Sequence, residues 1–338
     1  MGLTKIDVAK LAGVSHMTVT RVLRNDAYVS QDARKRVMDA CLALDYRHNM
    51  AAATIRGGRS FAFGVVLAKL KHTFYARFLD SLETECAKMG CHIIAIQGVD
   101  EFFNMIRWEE INFLLSRQID GLFVMSPIKN EICRKIVAEK IPSVYLDSKP
   151  DISGVNFIGT SDRSGFKTIT DLIISKGHRK IAFIGGKKDS YTSKIRFQGF
   201  KESLKNHKTA FNGKLAAFAQ NYDTRDGFSA AEALLRSGEK FTAVACANDY
   251  IAIGAISAFA KHGIPVPEQI SVTGYTGDEI GEFIVPSLTT MIQPAEEMAV
   301  MAVKKMRELL ENGNGHFGDI LMDTKLIERC SLKNITHR

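Results

Sequence analysis

No two cysteines stand at Cys-x-x-Cys spacing, and none of the six (Cys41, Cys86, Cys91, Cys133, Cys246, Cys330) has a histidine at metal-ligand spacing. A disulfide framework and a zinc site are therefore excluded, and the cysteines read as buried thiols of a reducing cytosol. There is no secretory leader, no apolar run of membrane length and no low-complexity segment, so a cytoplasmic protein is expected. Nucleotide and nucleophile motifs are missing too. No Gly-x-Gly-x-x-Gly follows the first strand, and there is no Walker loop, no Gly-x-Ser-x-Gly elbow and no Ser-His-Asp order. Gly185-Gly186-Lys187-Lys188 looks phosphate-like but lacks the spacing and reads as a turn. Neither an enzyme nor a bound cofactor or metal is expected.

What is present is an uneven charge. The 338 residues carry a net +8. Residues 1–60 hold ten Lys or Arg against five Asp, whereas the other 278 carry 35 basic residues against 32 acidic ones. A basic head on a nearly neutral body suits contact with phosphates through the head alone.

Within the head, Thr4 can cap a first helix with Asp7 three residues on, and Ile6, Val8, Ala9 and Ala12 form its apolar stripe. Gly13 ends it, Ser15 caps a second helix, and Val19, Val22 and Leu23 point inward. His16, Met17, Thr20 and Arg21 are left facing outward, as insertion of a helix-turn-helix into a major groove requires. The alternative is a plain capped helical hairpin. Ser30 starts a third helix (Ala33, Val37, Cys41, Leu44) whose Arg34-Lys35-Arg36 face suits either DNA backbone or solvent. Beyond Tyr46, the stretch from Asn49 to Arg56 is too short to hold a helix alone, so it reads as a linker ordered by a partner.

From Phe61 onward strands alternate with helices: strands at 62–68, 92–97, 120–125 and 143–146, helices at 74–89, 104–117 and 130–139. The cycle repeats with helices at 163–176, 191–207, 225–236 and 249–262 and strands at 180–185, 214–219, 242–247 and 270–275. Gly90, Gly177 and Gly263 stand where helix ends need positive φ. This alternation means parallel sheets with helices on both faces, and its length allows two. Ligands of such sheets bind beyond the carboxyl ends of the strands. Asp147, Arg196, Asn248 and Asp249 offer hydrogen-bonding groups there, and Phe74, Tyr75, Phe78 and Tyr222 offer flat walls, a combination suited to a sugar. Singly, Asp249 reads equally as a helix cap and Arg196 as exposed surface.

Over essentially its whole length the chain resembles the lactose/galactose repressor family of bacterial transcription factors. The resemblance rests on Asp7-Val-Ala-Lys-Leu-Ala-Gly-Val-Ser15, Thr18-Val-Thr-Arg-Val-Leu23, Tyr46-Arg-x-Asn49, Gly177-His-Arg-Lys-Ile-Ala182, Ala247-Asn-Asp249 and Pro286-x-Leu-Thr-Thr290. It implies an all-α helix-turn-helix head (1–46), a hinge (47–60) and an α/β core (61–338) of two doubly wound parallel-sheet subdomains, periplasmic-binding-protein-like. Those subdomains would be 61–160 plus 291–319 and 161–290 plus 320–332.

The implied partners are double-stranded operator DNA, a small-molecule effector in the core cleft and a second copy of the chain. The implied DNA contacts are Thr4, Ser15, His16, Met17, Thr18, Thr20, Arg21, Asn25, Tyr46, Asn49, Ala52, Ile55 and Arg56, with Ile55 as a minor-groove wedge. The implied effector contacts are His72, Phe74, Phe78, Asp147, Arg196, Tyr222, Asn248, Asp249, Thr276 and Asp278. Where the family often has an Asp that holds ligand hydroxyls, this chain has Thr276, followed by Asp278; either Asp278 takes over or the ligand differs. His48 and Ala53 also depart from the usual hinge, and the chain stops at Arg338 without leucine heptads, so no tetramer tail is expected. A weak likeness to gluconate-type regulators favours sugar acids. The alternatives are a purine- or nucleoside-responsive regulator, or a sugar-binding or sugar-converting protein without a DNA role.

Overall fold

The computed structural model describes residues 3–23, 28–46, 60–67, 70, 73–98, 105–313 and 315–336. The Asp7 carboxylate accepts the Thr4 backbone N–H at 2.8 Å and its hydroxyl at 2.7 Å, fixing the start of α1 (Lys5–Ala12). Gly13 closes that helix at φ +62°. Ser15 then accepts the Thr18 N–H at 3.0 Å at the head of α2 (His16–Leu23). Ser30 accepts the Ala33 N–H at 3.3 Å at the head of α3 (Gln31–Ala43). Val8, Ala9, Ala12, Val19, Val22, Val37 and Ala40 meet in a small buried centre. Ile6, expected inside, is 55% exposed. It lies about 200° around the helix from Val8, so Val8, Ala9 and Ala12 form the inner stripe without it.

After the head, β1 (Ala62–Leu67), α4 (Thr73–Lys88), β2 (His92–Gln97), α5 (Trp108–Ser116), β3 (Gly121–Met125), α6 (Asn130–Ala138), β4 (Ser143–Leu146) and β5 (Phe157–Thr160) wind one lobe. Next come α7 (Asp162–Ser175), β6 (Ile181–Gly185), α8 (Tyr191–Asn206), a 3-10 turn (Gly213–Leu215) and β7 (Ala216–Phe218). They are followed by α9 (Thr224–Arg236), β8 (Ala243–Cys246), α10 (Asp249–Lys261), β9 (Ser271–Thr273) and the one-turn α11 (Ile280–Phe283), which complete the second lobe. The chain then returns through β10 (Thr290–Ile292), α12 (Ala295–Asn312), β11 (Asp319–Met322) and β12 (Lys325–Ile327).

The first sheet has the order β11-β5-β4-β3-β1-β2 and the second β7-β6-β8-β9, with parallel pairing throughout. The antiparallel pair β10-β12 packs on the second core through Met291 and Leu326. α12 lies against α4 over the first sheet, where Ala295, Met298, Ala302 and Met306 meet Phe74, Phe78 and Leu82. Gly90, Gly177 and Gly263 do have positive φ.

Three features differ from the sequence reading. β5, only Phe-Ile-Gly-Thr, is too short to show a period. α5 starts at Trp108 rather than 104, because Ile106 forms a bridge with Ile128. Residues 320–322 were expected in the second subdomain, yet β11 pairs in register with β5 of the first sheet. The last passage between lobes therefore falls between Met322 and Lys325. Among the described residues the chain passes between lobes at three points: 160–162, 292–295 and 322–325.

Candidate effector cleft and DNA-reading face

A cavity of about 370 Å³ opens between the lobes. The first lobe lines it with Phe74, Tyr75, Met105, Pro127, Asp147 and Ser148. The second contributes Lys187, Asp189, Ser190, Thr192, Arg196, Gln220, Asn221, Tyr222, Asn248 and Thr276, and Gln293 reaches it from the second passage. Most of these residues sit where a strand hands over to a helix, as the winding requires. Of the expected effector residues, Phe74, Asp147, Arg196, Tyr222, Asn248 and Thr276 are brought together here; His72 lies outside the described residues.

Arg196 is buried on α8 rather than exposed, the bland reading of it. Its Nε donates to Asp162 at 3.0 Å, its Nη1 donates to the Ala247 carbonyl at 2.7 Å, and the guanidinium lies 4.3 Å over the Tyr275 ring. Nη2 makes no hydrogen bond to any described residue. Burial opposes the guanidinium's charge, but Asp162 and then its other neighbours outweigh that and raise its pKa. Across the cavity Asp147 holds φ +61°, a left-handed backbone that an L-residue adopts at a cost. Burial pushes its carboxyl up to about 6, against the pull of Arg196. The Tyr75 hydroxyl donates to it at 3.2 Å.

The Tyr222 wall is set by its neighbours. Its hydroxyl lies 2.9 Å from Ser190 Oγ and 2.8 Å from Thr192 Oγ1, and its ring lies flat on Gly186. A Cβ at Gly186 would stand 2.1 Å from the ring's Cζ. The Gly-Gly-Lys-Lys turn thus serves ring packing and places Lys187 on the cavity. Asn248 spends its amide on structure: Oδ1 accepts the Ile251 N–H at 2.8 Å as the α10 cap, and Nδ2 donates to the Tyr222 carbonyl at 2.9 Å.

Three expected effector residues do not line the cavity. Phe78 is fully buried in the first core, one turn after Phe74 and one before Leu82 on the inward stripe of α4. Asp249, one residue past the cap, turns behind the wall, where it accepts the Thr290 hydroxyl at 2.5 Å and the Asp278 N–H at 2.6 Å. Asp278 is likewise buried, receiving the hydroxyls of Thr276 (2.9 Å) and Thr73. The cavity position therefore belongs to Thr276, at φ +114°, with Asp278 holding it from behind. Lys187, Ser190, Thr192 and Gln293 were missed. Ser190 and Thr192 carried a signal, since they open a helix after a strand, but Gln293 carried none.

On the head, His16, Met17 and Arg21 are exposed on one face of α2, Met17 at 63%. Thr4 and Thr20 already donate their one hydroxyl proton, to Asp7 and to the His16 carbonyl. Phosphate oxygens only accept, so those two hydroxyls must break a bond to donate to the DNA backbone. Ser15 and Thr18 share a 2.8 Å hydroxyl contact at the cap, and Tyr46 packs on the head core. Asn25, Asn49, Ala52, Ile55 and Arg56 lie outside the described residues. Of the cysteines, Cys86, Cys91, Cys133 and Cys246 are buried as expected, but Cys41 is half-buried and Cys330 exposed. No described helix is long and apolar enough to cross a membrane.

A helix-turn-helix head joined to a two-lobed core with a polar, aromatic-walled cavity between the lobes defines a ligand-responsive, DNA-binding transcriptional regulator. Comparison with known proteins agrees. Residues 6–49 match the profile of bacterial regulatory proteins of the lacI family, and residues 170–332 match the periplasmic binding protein-like domain. The probable HTH-type transcriptional repressor ExuR of Bacillus subtilis (strain 168) is 29% identical over 98% of both chains. The HTH-type transcriptional repressor PurR of Histophilus somni (strain 129Pt) is 28% identical over 97% of this chain and 98% of its own. The ribose operon repressor of Haemophilus influenzae is 27% identical over 98% and 99%. Among solved structures, a lac repressor dimer bound to operator and the anti-inducer ONPF superposes with TM-score 0.84 at 25% identity, covering 98% of this chain and all of that one. The chain thus joins a DNA-binding domain of the lacI family to a periplasmic-binding-protein-like domain. The partners of such a regulator are operator DNA, a small-molecule effector and a second copy of itself.

Proposed function

We propose that the chain is a cytoplasmic, non-enzymatic repressor of a sugar-acid utilisation operon. It binds a pseudo-palindromic operator as a dimer and is switched by a sugar acid in the cleft. Arg21, Met17 and His16 read base edges, and Ile55 is the minor-groove wedge. One observation carries the effector class. Arg196, a buried cation, keeps Nη2 without a partner among the described residues, while the wall that faces it has Thr276 with Asp249 and Asp278 turned away behind. A carboxylate ligand meets a charge-assisted donor at Nη2, and on the Thr276 wall it meets a hydroxyl-bearing side chain rather than an acid. Asp147, Ser190 and Asn221 suit hydroxyls, and the volume suits a single sugar ring. The similarity to ExuR is consistent with this reading.

The test is a thermal-shift and calorimetry panel of D-galacturonate, D-gluconate, D-galactose, D-ribose and hypoxanthine. Sugar acids are expected to stabilise, by about 2.7 kcal/mol at a hundred times Kd. The rings of Phe74 and Tyr222 would also suit a flat base, and the PurR relatives keep that second reading in view. Stabilisation by hypoxanthine alone would establish it.

A further inference from the structure

The buried polar groups around Arg196 form a continuous chain through two of the three passages between lobes. Arg196 Nε donates to Asp162 Oδ2 at 3.0 Å, and Thr160 Oγ1 donates to Asp162 Oδ1 at 2.7 Å. Gln293 Nε2 then donates to Thr160 Oγ1 at 2.9 Å. All four side chains are more than nine-tenths buried. Thr160 ends β5 in the first lobe and Asp162 begins α7 in the second, so their bond spans the first passage. Gln293 lies in the second passage, and its bond staples that passage to the first. Its backbone N–H also donates to the carbonyl of Thr276, a cavity residue, at 3.2 Å. The third passage joins through the Ser161 N–H, which donates to the Met322 carbonyl at 2.8 Å.

We infer that Thr160 is a positioning residue. Its hydroxyl, accepting from Gln293 and donating to Asp162, transmits effector occupancy at Arg196 into the angle between the lobes. The proposal rests on the cavity being the effector site, but Thr160 itself does not line it. A ligand that draws on Nη2 moves a guanidinium whose other two nitrogens are tied to Asp162 and Ala247, and Asp162 is the joint residue. Because each donor and acceptor here is buried, a shifted Asp162 must either carry Thr160 and Gln293 with it or strand them unpaired, which disfavours intermediate arrangements.

The experiment measures operator affinity, by fluorescence anisotropy on a duplex selected from random sequence, with and without D-galacturonate or D-gluconate. Calorimetry of the same ligands runs in parallel on the full-length protein. Wild type is expected to show a coupling of 5- to 150-fold. Thr160→Val, which keeps the shape and removes the hydroxyl, is expected to reduce it below threefold while ligand affinity stays within fivefold; Thr160→Ser restores it. Should the valine variant not fold, Thr160→Ala takes its place, and Gln293→Met is expected to reproduce the loss of coupling. A ligand-free arm separates this from the effector reading: Thr160→Val alone is expected to shift operator affinity at least threefold, because the angle is no longer held. Coupling within twofold of wild type in Thr160→Val, an unchanged ligand-free affinity, or a more than tenfold loss of ligand affinity there would each overturn the proposal. If Arg196→Lys still binds the sugar acids as wild type does, the effector-site reading fails instead.

Discussion

The backbone N–H of Asp278 donates to the Asp249 carboxylate at 2.6 Å, so two buried acids share the space behind the cleft wall. Burial first, then the charge of Asp278, pushes the Asp249 carboxyl up to about 8; burial also raises Asp278. An unfolded Asp loses its proton near ~3.9. Between that pH and about 8 the folded state holds a proton that the unfolded state has released. The contribution of Asp249 to stability is thus complete below about pH 4, falls as pH rises, and levels off above about 8. The slope is at most about 1.4 kcal/mol per pH unit. Asp249→Asn should gain on wild type steadily from pH 5 to 8 in urea melts; parallel curves would show that Asp249 is ionised throughout.

Gly186→Ala should displace the Tyr222 ring, since the added methyl meets it well inside contact distance. A cost of about 1–3 kcal/mol is expected, together with loss of effector binding and intact operator binding. A crystal structure of the variant with Tyr222 unmoved would refute the packing argument.

Replacing Arg196 by Ala is a poor probe, because it strands the buried Asp162 carboxylate at a cost of about 3–5 kcal/mol. Arg196→Lys keeps a cation near Asp162 but cannot present Nε, Nη1 and Nη2 together. Calorimetry should show effector affinity reduced at least tenfold, with a much smaller drop in Tm than Arg196→Ala gives.

Arg21→Ala should weaken the cognate operator by about 1–3 kcal/mol and leave nonspecific duplex binding nearly unchanged. Titrations at several salt concentrations decide it. A uniform loss on all sequences with a shallower salt slope would make Arg21 a phosphate contact.

The sequence by itself determined whatever depends on neighbours along the chain. Ser15 and Ser30 announced two head helices, because a cap hydroxyl bonds to the N–H three residues on, and Thr4 with Asp7 announced the first, because the Asp7 carboxylate bonds back to Thr4. The alternation from Phe61 announced parallel sheets, because a strand buried on both faces must be a continuous apolar run. Winding then put Asp147, Tyr222 and Asn248 just past strand ends and Arg196 in the second turn of the helix that follows β6, and the cavity collects all four. Tertiary structure decided which way side chains turn once the lobes are joined. Phe78 shares the i, i+4 stripe of Phe74, yet only Phe74 reaches the cavity, because α4 runs away from it. Asp249 and Asp278 looked like ligand acids but face each other behind the wall, since their loops are drawn together by β10 and α4. Thr160, Asp162 and Gln293 left no local trace at all. They are one buried network only because the chain passes between lobes more than once, and 133 residues separate the hydroxyl of Thr160 from the amide of Gln293 that completes it.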